Sequence, residues 1–200
     1  MNTIIITLSG PAGSGKGTIA ARLIQQLPQL HLAISYTTRA QENDPPGAYR
    51  WLTGADRSEQ FMALVAAGAI IEHNDYAGAG ELYGSPAPVE GLNLYEIDVN
   101  GVRQIRQRYP NDVISIMVVP PGATDEQRLL VCKARMETDP NRRRSNIEGR
   151  LRTGATELLS RYEICHADGR SLIGHVVEND DSDRALRQII GILEPALEYC

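Results

Sequence analysis

A strand-like apolar run, TIIIT, leads directly into LSGPAGSGKGT, residues 8–18, which holds four glycines, one lysine and three small hydroxyl residues. Glycine in a regular element costs about 0.5–1 kcal/mol relative to alanine. A cluster of glycines right after the first strand therefore implies that the backbone turns tightly there and approaches something closely. The spacing is Gly10-x-x-x-x-Gly15-Lys16, with a helical pattern following. Strand, glycine loop, lysine and helix form the context in which successive N–H groups turn inward as an anion nest, and the positive end of the helix adds to it. Lys16 then reaches the outer phosphates of a nucleotide. The chain has 18 arginines and only two lysines, Lys16 and Lys133, so the lysine in the loop points to a slim, mobile point charge. The strict pattern continues with Ser or Thr; here Gly17 follows, and Thr18 comes one place later. The plain alternative is an ordinary glycine-rich turn between a strand and a helix.

The remainder alternates β-type apolar runs with helical patterns, which predicts an α/β fold with a largely parallel sheet. Strands are expected at Thr3–Ser9, HLAISYT, NLYEIDV, DVISIMVV and HVVEN. Helices are expected at Lys16–Leu27, GVRQIRQRY, Thr124–Glu137 and Ser182–Leu197, the last with Leu186, Ile189, Ile190 and Leu193 on one face. Between Arg39 and Pro88 this rhythm is lost. A polar loop, QENDPPGA, a short strand, YRWL, a helix capped by Asp56, and the run IIEHN read as a small inserted subdomain.

Two hundred residues with 42% hydrophobic and 22% charged content suit one globular domain. No apolar run approaches the length of a membrane span, and the N-terminus reads as a strand, not a signal peptide. Cys132, Cys165 and Cys200 are widely spaced, with no metal or disulfide pattern, so a reducing cytoplasm is the expected location. A net charge of −5 argues against broad nucleic-acid binding. Basic residues nonetheless crowd between Arg128 and Arg161, with five arginines in NRRRSNIEGRLR. That cluster is either a solvated face or a phosphate clamp. None of the four histidines has metal-ligand or catalytic spacing, and no apolar seam fixes an oligomeric state.

Five segments in order resemble the guanylate kinases: LSGPAGSGKGT, ISYTTR (Ile34–Arg39), LYGSP (Leu82–Pro86), EIDVNG (Glu96–Gly101) and VVENDD (Val176–Asp181). The resemblance runs nearly end to end. It implies a P-loop NTPase three-layer α/β/α fold with a parallel central sheet, an inserted NMP-binding subdomain and an Arg-rich lid. The corresponding division is a single domain, 1–200, with core 1–38, 89–137 and 155–200, subdomain 39–88 and lid 138–154. The implied reaction is ATP + GMP ⇌ ADP + GDP with Mg²⁺, the ion held mainly by phosphates and water and not directly by the protein.

The resemblance also carries residue roles. Gly10, Ala12, Gly13, Ser14, Gly15, Lys16, Gly17 and Thr18 match the ATP phosphate loop, and Asn179 the adenine side. Arg39 matches the residue that clamps the GMP phosphate, with Tyr49 and Tyr83 donating hydroxyls. Glu72 matches the guanine-reading glutamate, and Ser35, Ser85 and Asp98 the other base-side positions. Arg135 and Arg150 resemble the lid arginines that neutralise the moving phosphoryl group. Guanine offers N1–H and N2–H₂ as donors. Adenine lacks that pair, and a buried acid facing it goes unpaired, a cost of about 1–3 kcal/mol or more. Taken singly, Tyr49 and Tyr83 also read as half-buried core residues, Glu72 as a surface strand residue and Asp98 as a cap for the next helix.

Departures from the family pattern touch the monophosphate side and the lid. Glu42 stands where a second phosphate-binding arginine is normal, with Arg50 as a candidate substitute. The chain is longer between Glu72 and Tyr83 and shorter between Pro86 and Glu96, where an expected helix is nearly absent. The longer lid leaves Arg135 to be weighed against Lys133, and Arg150 against Arg142, Arg143 and Arg144. Two other readings stand beside the GMP kinase: a kinase of dGMP or of another or modified nucleotide, and an inactive interaction module of guanylate-kinase type.

Overall fold

The strands that form the centre of the molecule are apolar on both faces because each is covered twice. In the computed structural model, which describes residues 3–41, 44, 46–75, 80–139, 146–165 and 169–198, β1 (Thr3–Ser9) has Ile5, Ile6 and Leu8 fully buried, and Thr7 and Ser9 with them. It lies between β7 (Gly91–Glu96) and β8 (Val113–Val119) and is parallel to both, with Leu8 opposite Glu96 and Ser9 opposite Met117. β2 (Leu30–Leu32) and β9 (His175–Glu178) complete a parallel sheet in the order β2-β7-β1-β8-β9. Burial on both faces is the pattern of a parallel sheet sandwiched by helices.

One face is closed by α1 (Lys16–Gln26) and α6 (Ser182–Leu197). Ile19, Ala20 and Leu23 of the first and Leu186, Ile189 and Leu193 of the second pack with Ile6, Leu8, Leu92, Leu94, Ile116 and Val118. The other face carries α3 (Val99–Arg108), whose Val99, Val102 and Ile105 are buried. α4 (Asp125–Thr138) and α5 (Ile147–Leu159) pack on each other, and α5 ends in a 3₁₀ turn, Ser160–Tyr162. The expected lid, 138–154, ends inside α5; Arg142, Arg143 and Arg144 lie outside the described residues.

These elements form one compact unit, Met1–Leu32 with Val89–Cys200; Ala33–Pro88 forms a second. The second unit is a four-stranded sheet in the order β4-β3-β6-β5, built from β3 (Tyr36–Thr37), β4 (Arg50–Trp51), β5 (Ile70–Asp75) and β6 (Leu82–Pro86), with α2 (Arg57–Ala66) packed on β5 through buried Phe61. Gly84 is required where it sits: a β-carbon there would lie 2.7 Å from Ile70 Cγ2 and 2.8 Å from Phe61 Cζ. The expected single strand HLAISYT is in fact two, β2 in the parallel sheet and β3 in the other, because the chain passes from one unit to the next between Leu32 and Ala33. Asp56 precedes α2 as its N-cap residue but makes no capping bond with its side chain. Residues 87–90 contain no helix.

Candidate active site

In the first unit, β1 delivers the chain into the glycine loop and α1 receives it. Gly10, Gly13 and Gly15 all have positive φ, at 129°, 87° and 92°, values that L side chains rarely adopt. Space is restrictive as well. A β-carbon on Gly10 would lie 2.1 Å from the Val118 carbonyl oxygen, one on Gly13 2.7 Å from that of Cys132, and one on Gly15 2.3 Å from Asn179 Nδ2. Ala12 is buried, and the turn closes through a bond from Ser14 N–H to Pro11 O at 3.0 Å. Lys16 begins α1, and Thr18 is exposed in its first turn. Ser14 Oγ is fully buried with no hydrogen-bond partner among the described residues, the kind of orphaned group that a phosphate oxygen satisfies.

The loop is braced from behind. Arg135, in the last turn of α4, donates to the carbonyls of Gly13 (3.4 Å) and Ser14 (3.3 Å), and more closely to that of Asn179 (2.9 Å). Asn179, itself buried, donates from Nδ2 to Ser14 O at 2.8 Å. Carbonyls held outward leave the loop N–H groups free to turn toward an anion. Gly17 has no side chain to offer, and Glu96 lies beside it: a β-carbon on Gly17 would be 3.3 Å from Glu96 Oε1. Sequence reasoning missed this carboxylate, although the segment that begins with Glu96 was singled out.

Also in this unit, Asp98 is the N-cap of α3, its Oδ1 accepting from Gly101 N–H at 2.8 Å. The capping reading is thus realised for one of its oxygens. Arg150 lies in the first turn of α5, whose N-cap, Asn146, adopts the left-handed conformation at φ 56° and accepts from Gly149 N–H at 3.0 Å. Further along α5, Glu157 is 4% exposed. Burial pushes its carboxyl up to about 8, with Asp98 adding to the rise and Lys16 and the Val99 N–H opposing it. No signal in the sequence marked this residue beyond an acid beside Leu158 on the buried side of the helix.

In the second unit, the residues matched to monophosphate binding share one sheet. Glu72 on β5 is 6% exposed and pairs in register with Ser85 of β6; Asn74 pairs with Tyr83. Ser35 Oγ and Ser85 Oγ are 3.3 Å apart. The Tyr49 and Tyr83 rings meet edge to face at 5.8 Å, and Arg39 lies over the Tyr49 ring at 5.4 Å. Tyr83 donates from its hydroxyl to Glu81 at 3.4 Å. Arg39 is ion-paired with Asp44 at 2.8 Å. Burial opposes its charge, yet the bond to Asp44 and the neighbouring Tyr83, Asp44 and Tyr49 outweigh it and hold the guanidinium above its usual value. An acid thus occupies the arginine that was matched to a phosphate. Asp44 was passed over in the polar loop QENDPPGA. Glu42 lies outside the described residues. Arg50 lies over the Tyr36 ring and donates to its hydroxyl at 3.0 Å, so its group is engaged there. Asp98 belongs to the first unit and is the one matched base-side residue not gathered on this sheet. Among the described residues no cluster of three or more His, Cys, Asp or Glu side chains could hold a metal ion, and no helix is long and apolar enough to cross a membrane.

Comparison with known proteins adds the following. The family model described as guanylate kinase matches residues 1–196. The guanylate kinase of Synechococcus sp. (strain JA-3-3Ab) is 30% identical over 199 residues, covering 96% of this chain and 82% of that protein. That of Desulfitobacterium hafniense (strain Y51) is 32% identical over 200 residues, covering 95% and 88%. The crystal structure of guanylate kinase from Anaplasma phagocytophilum superposes with a TM-score of 0.66 at 23% identity, over 96% of this chain and 85% of that one, and shows the shared fold.

Proposed function

The chain belongs to the guanylate kinase family, and on that footing we propose that it transfers the γ-phosphoryl group of ATP to GMP, giving ADP and GDP. The observation that carries this reading is the intact glycine loop: three positive-φ glycines, braced outward carbonyls and Lys16 at a helix start. An interaction module that had given up catalysis would have no use for it.

Phosphoryl transfer asks the protein for in-line positioning and charge neutralisation more than for covalent chemistry. The amides of Gly13, Gly15 and Gly17, with the Ser14 hydroxyl and the α1 terminus, would cradle the ATP phosphates, Lys16 would follow the outer ones, and Thr18 would meet a phosphate at the helix start. Asn179 would serve the adenine side while holding Ser14. Arg135 and Arg150 would neutralise the transferring group; Arg135 also shapes the loop through its carbonyls. On the second unit, Arg39 would exchange the Asp44 carboxylate for the GMP phosphate, helped by Tyr49 and Tyr83. Glu72, Ser35 and Ser85 would read guanine, with Asp98 contributing from the first unit.

The donors present suit Mg²⁺ held mainly by phosphates and water. Gly17 supplies no hydroxyl, and Glu96 is the carboxylate beside it. When bound, the ion would draw charge from the phosphate oxygens. The buried free thiols Cys132 and Cys165 suit a reducing cytoplasm.

The test is ADP release across GMP, dGMP, AMP, CMP and UMP, with Glu72→Gln alongside. GMP should be fastest, and the variant should raise the KM for GMP by about tenfold or more while moving that for ATP far less. Fastest turnover on AMP, or equal losses on both substrates, would overturn the assignment of Glu72. Absence of turnover with every monophosphate despite ATP binding would overturn the kinase.

A further inference from the structure

The mechanism above leaves one buried acid unused. Glu157 is 4% exposed, yet among the described residues its Oε2 has no hydrogen-bond partner; the carboxylate accepts from the Val99 N–H at the start of α3. It borders a small cleft lined by Asp98, Asn100, Arg103, Thr153, Thr156 and Ser160. The empty space there is at most about 250 Å³, room for a few waters and not for a nucleotide.

α5, which lines one side of the cleft, also reaches the phosphate loop. One turn before Glu157, Gly154 brings α5 so close to the loop that a β-carbon on it would sit 3.0 Å from Pro11 Cβ. The charged and titratable groups around the carboxyl come from every neighbouring element. Lys16 comes from α1, Asp98 and Arg103 from the start of α3 and its first turns, and Cys132 from α4. Lys16 is the cation that favours the ionised form, and it is also the group the ATP phosphates would draw away.

From this geometry we infer that Glu157 is a positioning residue of the phosphate site that takes up a proton from solvent when ATP binds. This rests on the reading of the loop as the ATP site. A triphosphate arriving beside the loop adds negative charge next to a carboxylate that is already poorly solvated and short of one hydrogen bond. It also engages Lys16, the cation that stabilised the anion. Both changes favour the acid form. One O–H bond forms on the Glu157 carboxyl, the proton comes from water or buffer, and no carboxylate anion is left to compete with the phosphates for Lys16. Cys132 cannot supply the same signal. Burial holds its thiol up at about 11, against the opposing effects of Lys16 and Arg135, so it already carries its proton at pH 8.

The experiment is calorimetric titration of the whole chain with Mg·ATP at pH 8, in buffers of different ionisation enthalpy. ATP phosphates are fully ionised at this pH. Wild type should take up a fraction of a proton, at most about half per ATP. Its affinity should fall by up to about tenfold per pH unit above pH 8. Glu157→Gln, which keeps an oxygen for the Val99 N–H, should bind ATP with no proton uptake and a flatter pH profile. Zero uptake by wild type, or equal uptake by the variant, would overturn the inference. Absence of any ATP binding by wild type would instead remove the reading of the loop. Should the variant fail to fold, carboxyl carbon resonances of wild type decide. A glutamate still titrating at pH 8 in the free protein and silent in the ATP complex is expected; no such resonance would sink the proposal.

Discussion

At the scale of single residues, the loop glycines are fixed by two independent demands, and substitution separates them. Gly169 also has positive φ, at 70°, but a β-carbon there would meet none of the described residues within 4 Å. Gly169→Ala should therefore cost only the backbone term, about 1–2 kcal/mol. Gly13→Ala carries the same strain and also forces a carbon against the Cys132 carbonyl at 2.7 Å. It should cost about 1–3 kcal/mol more and weaken ATP binding, because the nest cannot keep its shape. Thermal unfolding and ATP titration of the two variants check this; equal destabilisation would mean that the loop yields more easily than its packing implies. Lys16 and Arg39 were legible in the sequence because their motifs are local. Asp44 was not, because the polar loop after Arg39 offers two acids, Glu42 and Asp44, and no pattern picks between them; Glu157 was not, since nothing within a few positions of it says that it lies near Lys16. That meeting is made by the fold.

At the scale of elements, the apolar runs of β1, β7 and β8 could be read directly because both faces of each are buried. HLAISYT could not be divided by the same rule. Hydrophobic pattern records burial, whereas the split between β2 and β3 is a choice of pairing partner. Asp98 poses a related problem, since one carboxylate caps α3 and is also matched to guanine recognition. Asparagine is as good an N-cap as aspartate, and alanine is not. Asp98→Ala should lose about 1 kcal/mol of stability, while Asp98→Asn should hold it. If the carboxylate also reads the base, both should raise the KM for GMP about tenfold or more. An unchanged KM in Asp98→Asn would leave Asp98 as a cap alone.

At the scale of the whole molecule, the buried glutamate ties stability to pH. An unfolded glutamate loses its proton near 4.5, the folded Glu157 near 8. Between those values the native chain holds a proton that the unfolded chain has released, so this group makes stability fall as pH rises. The contribution to the slope is up to about 1.4 kcal/mol per pH unit. Denaturant melts of wild type and Glu157→Gln from pH 5 to 8 should show the wild type declining more steeply. Parallel curves would mean that the carboxyl ionises normally in the folded protein.

The brace behind the glycine loop has a consequence for how the chain comes into being. The partners of Gly13 and Ser14 lie 122 and 165 positions downstream. A nascent polypeptide halted after β8 would carry every glycine of the motif and neither of the side chains that hold it open. The cradle thus leaves the ribosome long before the side chains that give it its shape.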